Sequence, residues 1–210
     1  MSALVYLHGF TSAPGGNKGT FARRFAEERG LPFHAPDLNL PSFETLTLTA
    51  QVETVEELLR ELPEPPVIVG SSLGGFIATA VAQRGAAIRS MILLAPAIHF
   101  ARRRKTSPTW APYRELGEME VFHYGVGKPL RLGPELLRDL PHWMDDDQWR
   151  IAAPTAILHG RFDEAVPLAE SEAYAARNPG ARLQVLEDDH GLLKPESLAC
   201  LRSELEAAFR

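Results

Sequence analysis

The sequence predicts an α/β fold built on a mostly parallel sheet, and three observations carry that prediction. Short apolar runs alternate with longer amphipathic stretches, as in a fold whose strands are joined by crossover helices. Several of the runs stop abruptly at glycine-bearing loops: His8-Gly9, Gly70-Ser71-Ser72 and His159-Gly160. The chain has 210 residues and is 45% hydrophobic, enough for one buried core, so a single domain over residues 1–210 is expected.

The elements follow in order. Residues 4–7 form an apolar run entering the His8-Gly9 loop, and a loop with Pro14, Gly15 and Gly16 comes next. Over 19–28, Phe21 and Phe25 stand four apart among charges, a helix that Gly30 ends. Residues 32–35 make a weak second strand. Over 49–62, Val52, Val55, Leu58 and Leu59 keep helical spacing, and Pro63, Pro65 and Pro66 stop the helix. The β-branched run 67–69 leads through a Gly-Ser turn into an Ala-rich helix over 76–83. Strands are predicted at 91–94, 156–158 and 183–186, and helices at 168–177 and 196–209.

Between residues 96 and 151 the rhythm breaks. This segment carries all three tryptophans, Trp110, Trp143 and Trp149, and several prolines. A hairpin is predicted from 119–124 and 130–132 around a Gly125–Gly127 turn, with Pro134 in the first turn of a short helix. The segment reads as a cap or lid inserted between two sheet strands, covering the carboxyl end of the sheet. Its aromatics fit two descriptions equally: the lining of an apolar cleft, or the small core of the cap.

Composition removes several function classes. There are 22 Lys and Arg against 27 Asp and Glu, a formal net charge of −5, which argues against a nucleic-acid partner. Cys200 is the single cysteine, so an internal disulfide is excluded and a reducing, cytoplasmic setting is expected. The first residues lack the basic leader and long apolar core of a signal peptide, and no stretch approaches the roughly 20 apolar residues needed to span a bilayer. Gly125-Val126-Gly127 lacks the third glycine of a dinucleotide-binding loop, and no phosphate-binding loop or Cys/His zinc pattern is present. No cofactor and no metal are expected. Asp145-Asp146-Asp147 is read as a helix start, because three consecutive side chains converge poorly on an ion. Arg102-Arg103-Arg104-Lys105 would attract an anionic substrate, but is read first as a solvated loop.

The strongest chemical signal is Gly70-Ser71-Ser72-Leu73-Gly74, which fits G-x-S-x-G between an apolar strand and an Ala-rich helix. Such a turn is sharp and strained, and it lifts the serine hydroxyl above the sheet. Only Ser72 has glycines two residues away on both sides, so Ser72 is the nucleophile and Ser71 fills or hydrogen-bonds. A serine hydroxyl needs a base. Of seven histidines, His190 in Asp188-Asp189-His190-Gly191 directly follows the last strand, at the end where a base must overhang the turn. Asp163 follows the penultimate strand and is the acid expected to orient the imidazole, with Glu164 its rival in the same loop. The oxyanion donors are expected to be the N–H of Leu73 and that of Phe10, with Thr11 the alternative to Phe10. His8 is expected to brace its loop.

His8-Gly9-Phe10, the turn at Ser72, His-Gly-x-x-Asp-x-x-Val-Pro from His159 to Pro167, and Asp189-His190-Gly191 together resemble the α/β-hydrolase superfamily. The early Tyr-Leu-His-Gly-Phe-Thr-Ser with Lys18 nearby is similar to small bacterial YqiA-like esterases. The resemblance implies an α/β-hydrolase fold with a minimal sheet, starting at what would be the third strand of larger members. It also implies hydrolysis of small-molecule esters or thioesters of short to medium acyl chains through an acyl-enzyme on Ser72, without a cofactor. A carboxylesterase is the first reading. A thioesterase or amidase, and a non-catalytic binding protein that kept the fold, are the alternatives. A homodimer stays open.

Overall fold

A computed structural model of the chain describes residues 1–144 and 148–210. The Asp145-Asp146-Asp147 segment, read above as a helix start, lies outside the described residues.

Six strands form one parallel sheet in the order β2-β1-β3-β4-β7-β8. They are β1 (Leu4–Leu7), β2 (Phe33–His34), β3 (Val67–Ser71), β4 (Ser90–Leu94), β7 (Thr155–Gly160) and β8 (Ala181–Leu186). Strand side chains point alternately to the two faces, and the two cores divide accordingly. Val5, Leu7, Ile68, Met91 and Leu93 face one core, whereas Leu4, Tyr6, Val67, Val69, Ile92 and Leu94 face the other. Strands buried on both faces read as continuous apolar runs, which is why these segments were legible as strands despite lacking polar alternation.

Helices cover both faces. α1 (Asn17–Glu28) and α8 (Pro195–Ala208) close one side with Ala22, Phe25, Ala26, Leu201 and Leu205. α2 (Leu48–Glu61), α3 (Leu73–Gln83) and α7 (Leu168–Arg177) cover the other. α2 buries Leu48, Val52 and Val55, an i, i+4, i+7 stripe, and the Thr47 hydroxyl caps it by accepting from the Ala50 N–H. α3 is buried almost all round, which suits its Ala-rich composition and its place against β1, β3 and β4.

Between β4 and β7 the chain makes α4 (Phe100–Thr106), α5 (Ala111–Leu116), an antiparallel hairpin of β5 (Met119–His123) and β6 (Lys128–Leu132), and α6 (Glu135–Asp139), with short 3-10 turns at Pro108–Trp110 and Leu140–Trp143. The hairpin lies where the two runs around the Gly125–Gly127 turn predicted it, and Pro134 stands one residue before α6. The reading of Arg102, Arg103, Arg104 and Lys105 as a solvated loop is wrong: they lie in α4, and three of the four are largely covered. The apolar anchors Phe100 and Ala101 at its start put the helix against the core, and the arginine stems pack along it. The aromatics of this segment divide: Trp143 and Trp149 join the core, whereas Tyr124 lines a cleft. Trp143 and Trp149 pack on Phe76 of α3 at ring separations of 6.0 and 5.5 Å, and Tyr113 is fully buried with its hydroxyl donating to the Gly133 carbonyl. Asp139 ties α6 to α2 by accepting from the Thr49 N–H and hydroxyl.

The strand order reverses direction between β1 and β3. The loops leaving their carboxyl ends diverge there and open a crevice, where open α/β sheets place their sites.

Candidate active site

The loop after β3 is Ser72, held at φ 52° and ψ −113°. This is a left-handed conformation that a residue with a β-carbon enters only under constraint. The constraints are visible. The Ser72 N–H donates to the Leu94 carbonyl at 2.9 Å, and its own carbonyl accepts from the N–H groups of Gly75, Phe76 and Ala97. The flanking glycines are required by close approach: a β-carbon on Gly74 would lie 2.0 Å from the Leu7 carbonyl oxygen, and one on Gly70 would lie 2.5 Å from that of Gly74. Ser71, the neighbouring serine, is buried beside the Tyr6 hydroxyl and does not compete for the role.

The loops after β7 and β8 bring Asp163 and His190 together. His190 Nδ1–H donates to Asp163 Oδ2 at 2.7 Å. The carboxylate is fully buried and the imidazole about one-third exposed. Asp163 Oδ1 accepts from the N–H groups of Ala165 and Val166, both at 2.8 Å. Burial would raise the carboxyl pKa, but the bonds from His159, His190 and the Val166 N–H outweigh it and hold Asp163 well below the usual carboxylate range. Glu164, the rival acid, faces solvent. Asp188 instead shapes the loop that carries His190. It accepts from the Ser197 hydroxyl and from the N–H groups of Asp189 and Lys194.

Ser72 and His190 line one cleft of about 640 Å³, together with Gly9, Phe10, Thr11 and Lys18. No hydrogen bond joins Ser72 Oγ to His190 Nε2 among the described residues. Such contacts are commonly long in ligand-free sites and tighten with substrate. The loop after β1 lies directly against Ser72, since a β-carbon on Gly9 would sit 3.3 Å from Ser72 Cβ. Leu73 is the first residue of α3, so its N–H has no acceptor within the helix. Phe10, the neighbour of Gly9, lines the same cleft as Ser72. His8 braces its loop as expected: Nε2 accepts from the Leu38 N–H at 2.9 Å, which leaves Nδ1–H to donate to the Gly9 carbonyl. Burial lowers the His8 pKa, consistent with that neutral tautomer.

Three further side chains stand beside the site: His159 and Lys18, to which the sequence reading assigned no role, and Arg104, read there first as part of a solvated loop. His159 is fully buried; its Nε2–H is shared between the Val166 carbonyl and Asp163 Oδ2, while Nδ1 accepts from the Ser171 hydroxyl. It is a second donor steadying the acid. Its only signal in sequence was the His-Gly pair at the strand end. Lys18 reaches the His190 carbonyl at 3.5 Å, and burial lowers its pKa to about 8 against the pull of Asp163, Asp188 and Asp189. Arg104 of α4 lines the same cleft. A second cleft of about 630 Å³ opens among Met1, Arg29, Glu64 and Phe209, at the opposite end of the strands, and holds no histidine or cysteine.

A hydroxyl on a strained strand-to-helix turn and an imidazole braced by a buried carboxylate are parts that acyl transfer through a covalent intermediate requires. Sheet, turn and loop placement define an α/β-hydrolase fold. Two solved structures show the same fold. Mouse alpha/beta hydrolase domain-containing protein 10 superposes with a TM-score of 0.83 at 21% identity, over 99% of this chain and 89% of that one. Est1E from Butyrivibrio proteoclasticus, with ferulic acid bound, superposes with a TM-score of 0.81 at 20% identity, over 99% and 87%. The chain belongs to the uncharacterised protein family UPF0227, whose profile matches residues 3–196. Among curated relatives, the pimeloyl-(acyl-carrier protein) methyl ester esterase of Aromatoleum aromaticum is 27% identical over 189 residues, covering 70% of this chain and 76% of that protein.

Proposed function

We propose that this protein is a serine carboxylesterase that works through an acyl-enzyme on Ser72. His190 takes the proton of the Ser72 hydroxyl as the oxygen attacks the ester carbonyl. The N–H groups of Leu73 and Phe10 hold the oxyanion, and Asp163 keeps the imidazole in the Nδ1–H tautomer and stabilises its protonated form. His190 then gives the proton to the departing alcohol. Water, activated by the same base, releases the acid, so one ester and one water yield one acid and one alcohol. The observation that carries this reading is the 2.7 Å bond between Asp163 and His190, in the cleft that also holds the strained Ser72 turn. Residues 96–151 serve as a cap within a single catalytic domain. No helix among the described residues is long and apolar enough to cross a membrane.

An ester is favoured over an amide because the curated relative is named for cleaving a methyl ester. The test is hydrolysis of p-nitrophenyl esters of graded acyl length by the wild type beside Ser72→Ala, with trapping by a fluorophosphonate. A loss of about 10⁴-fold or more and an adduct on Ser72 are expected. Equal activity in both proteins, or no adduct, would move the reading to a non-catalytic binding protein.

A further inference from the structure

Arg104 projects from α4 into the cleft that holds Ser72 and His190, and its guanidinium is wrapped by three rings. Its Cζ lies 3.8 Å from the Phe100 ring centre, 4.4 Å from that of Trp110 and 5.4 Å from that of Phe10. Those faces fix the plane of the group and cover its flanks, but they offer no hydrogen-bond acceptor. Nε is sealed from solvent with no hydrogen-bond partner, and no carboxylate contacts the side chain among the described residues. The carboxylate whose field reaches it, Glu170, is already committed: Oε1 pairs with Arg103 Nε at 2.8 Å and Oε2 accepts from the His99 N–H at 2.9 Å. Burial lowers the Arg104 pKa to about 9, which still leaves the group charged at neutral pH.

A covered cation without a counter-ion is costly, and structures that keep one normally pair it. Here the remaining side opens to the cleft. The cleft as a whole repeats the pattern. Among the described residues its wall contains Lys18, Arg103 and Arg104 and no Asp or Glu, in a chain whose formal net charge is −5. Arg103 is spent on Glu170 and on the Ala165 carbonyl. Arg104 is the planar fork left to receive a ligand.

We propose that Arg104 is the receptor for an oxyanion on the substrate, so that this site takes esters bearing a carboxylate or a phosphate some distance from the scissile bond. The proposal rests on the esterase reading for the reaction, although anion binding can be measured without turnover. A guanidinium held by aromatic faces matches the bidentate geometry of either anion.

The experiment compares p-nitrophenyl monoesters of dicarboxylic acids with p-nitrophenyl alkanoates of equal carbon number. The wild type is expected to favour the best monoanionic ester by at least about tenfold in kcat/KM, mostly through KM, since a charge-assisted bidentate contact is worth that much or more. In Arg104→Gln the preference should collapse toward one, and Arg104→Lys should keep part of it. A preference absent from the wild type, unchanged in Arg104→Gln, or abolished by Lys18→Gln instead would overturn the proposal. Calorimetry on Ser72→Ala with hexanoate, hexyl phosphate and hexanol removes any dependence on turnover and on the folding of Arg104 variants. Tighter binding of hexanoate assigns a carboxylate, and tighter binding of hexyl phosphate assigns a phosphate. Hexanol binding as well as either sinks the idea. Anion binding without ester hydrolysis would fail the esterase reading alone, and hydrolysis without anion preference would fail this proposal alone.

Discussion

At the scale of single residues, Asp163 carries the most weight. Its carboxylate is buried, yet it accepts from two backbone N–H groups and faces two imidazoles, so its charged form is the stable one. Because the folded pKa lies below the unfolded value, Asp163 adds stability above about pH 4 and loses it as pH falls toward the depressed folded value. Asp163→Asn should therefore cost urea stability at pH 7, with the gap to wild type closing below pH 4. The same variant should lower kcat by about 10³–10⁴-fold, because an amide no longer selects the Nδ1–H tautomer of His190. Lys18 has the opposite sign. Its folded pKa is lowered to about 8, so it is charged at a burial cost below pH 8 and is relieved of that cost as pH rises toward the unfolded value. Lys18→Met is expected to gain stability relative to wild type at pH 7, and denaturation curves at pH 7 and 10 should show that gain shrinking at the higher pH.

At the scale of elements, the β3–Ser72–α3 unit explains why the candidate nucleophile was legible. G-x-S-x-G describes one turn, and the clashes that demand glycine come from the next helix turn and the adjoining strand. Gly74→Ala would drive a methyl group into the Leu7 carbonyl, forcing α3 away from β1. A loss of about 3 kcal/mol or more is expected by urea denaturation, with activity falling alongside. The hairpin was equally local, set by two short runs around Gly125-Val126-Gly127. α4 was not legible. Four consecutive basic residues, Arg102 to Lys105, look like a solvated segment when only their charge is read. What covers them includes Phe10, a ring far away in the chain, beside Phe100 at the start of α4 and Trp110 just after it.

At the scale of the whole molecule, the insertion and the sheet share one core through Phe76. Its ring meets Phe100, Trp143 and Trp149, which all belong to the segment between β4 and β7. Phe76→Ala should cost about 3–5 kcal/mol and shift tryptophan fluorescence in the same transition that reports the sheet by far-UV circular dichroism. Two separated transitions would mean that the insertion is held independently. The strands and helices of the main sheet, the strained turn at Ser72, and the loops bearing Asp163 and His190 were determined by the sequence, because periodicity, glycine placement and chain order act over a few residues at a time. Only the tertiary structure decided that His159 steadies the acid, that Trp143 and Trp149 pack into the core, and that Arg104 stands ringed and, among the described residues, unpaired beside the cleft. Burial and charge pairing depend on which distant residues come to lie alongside, and no local pattern encodes that.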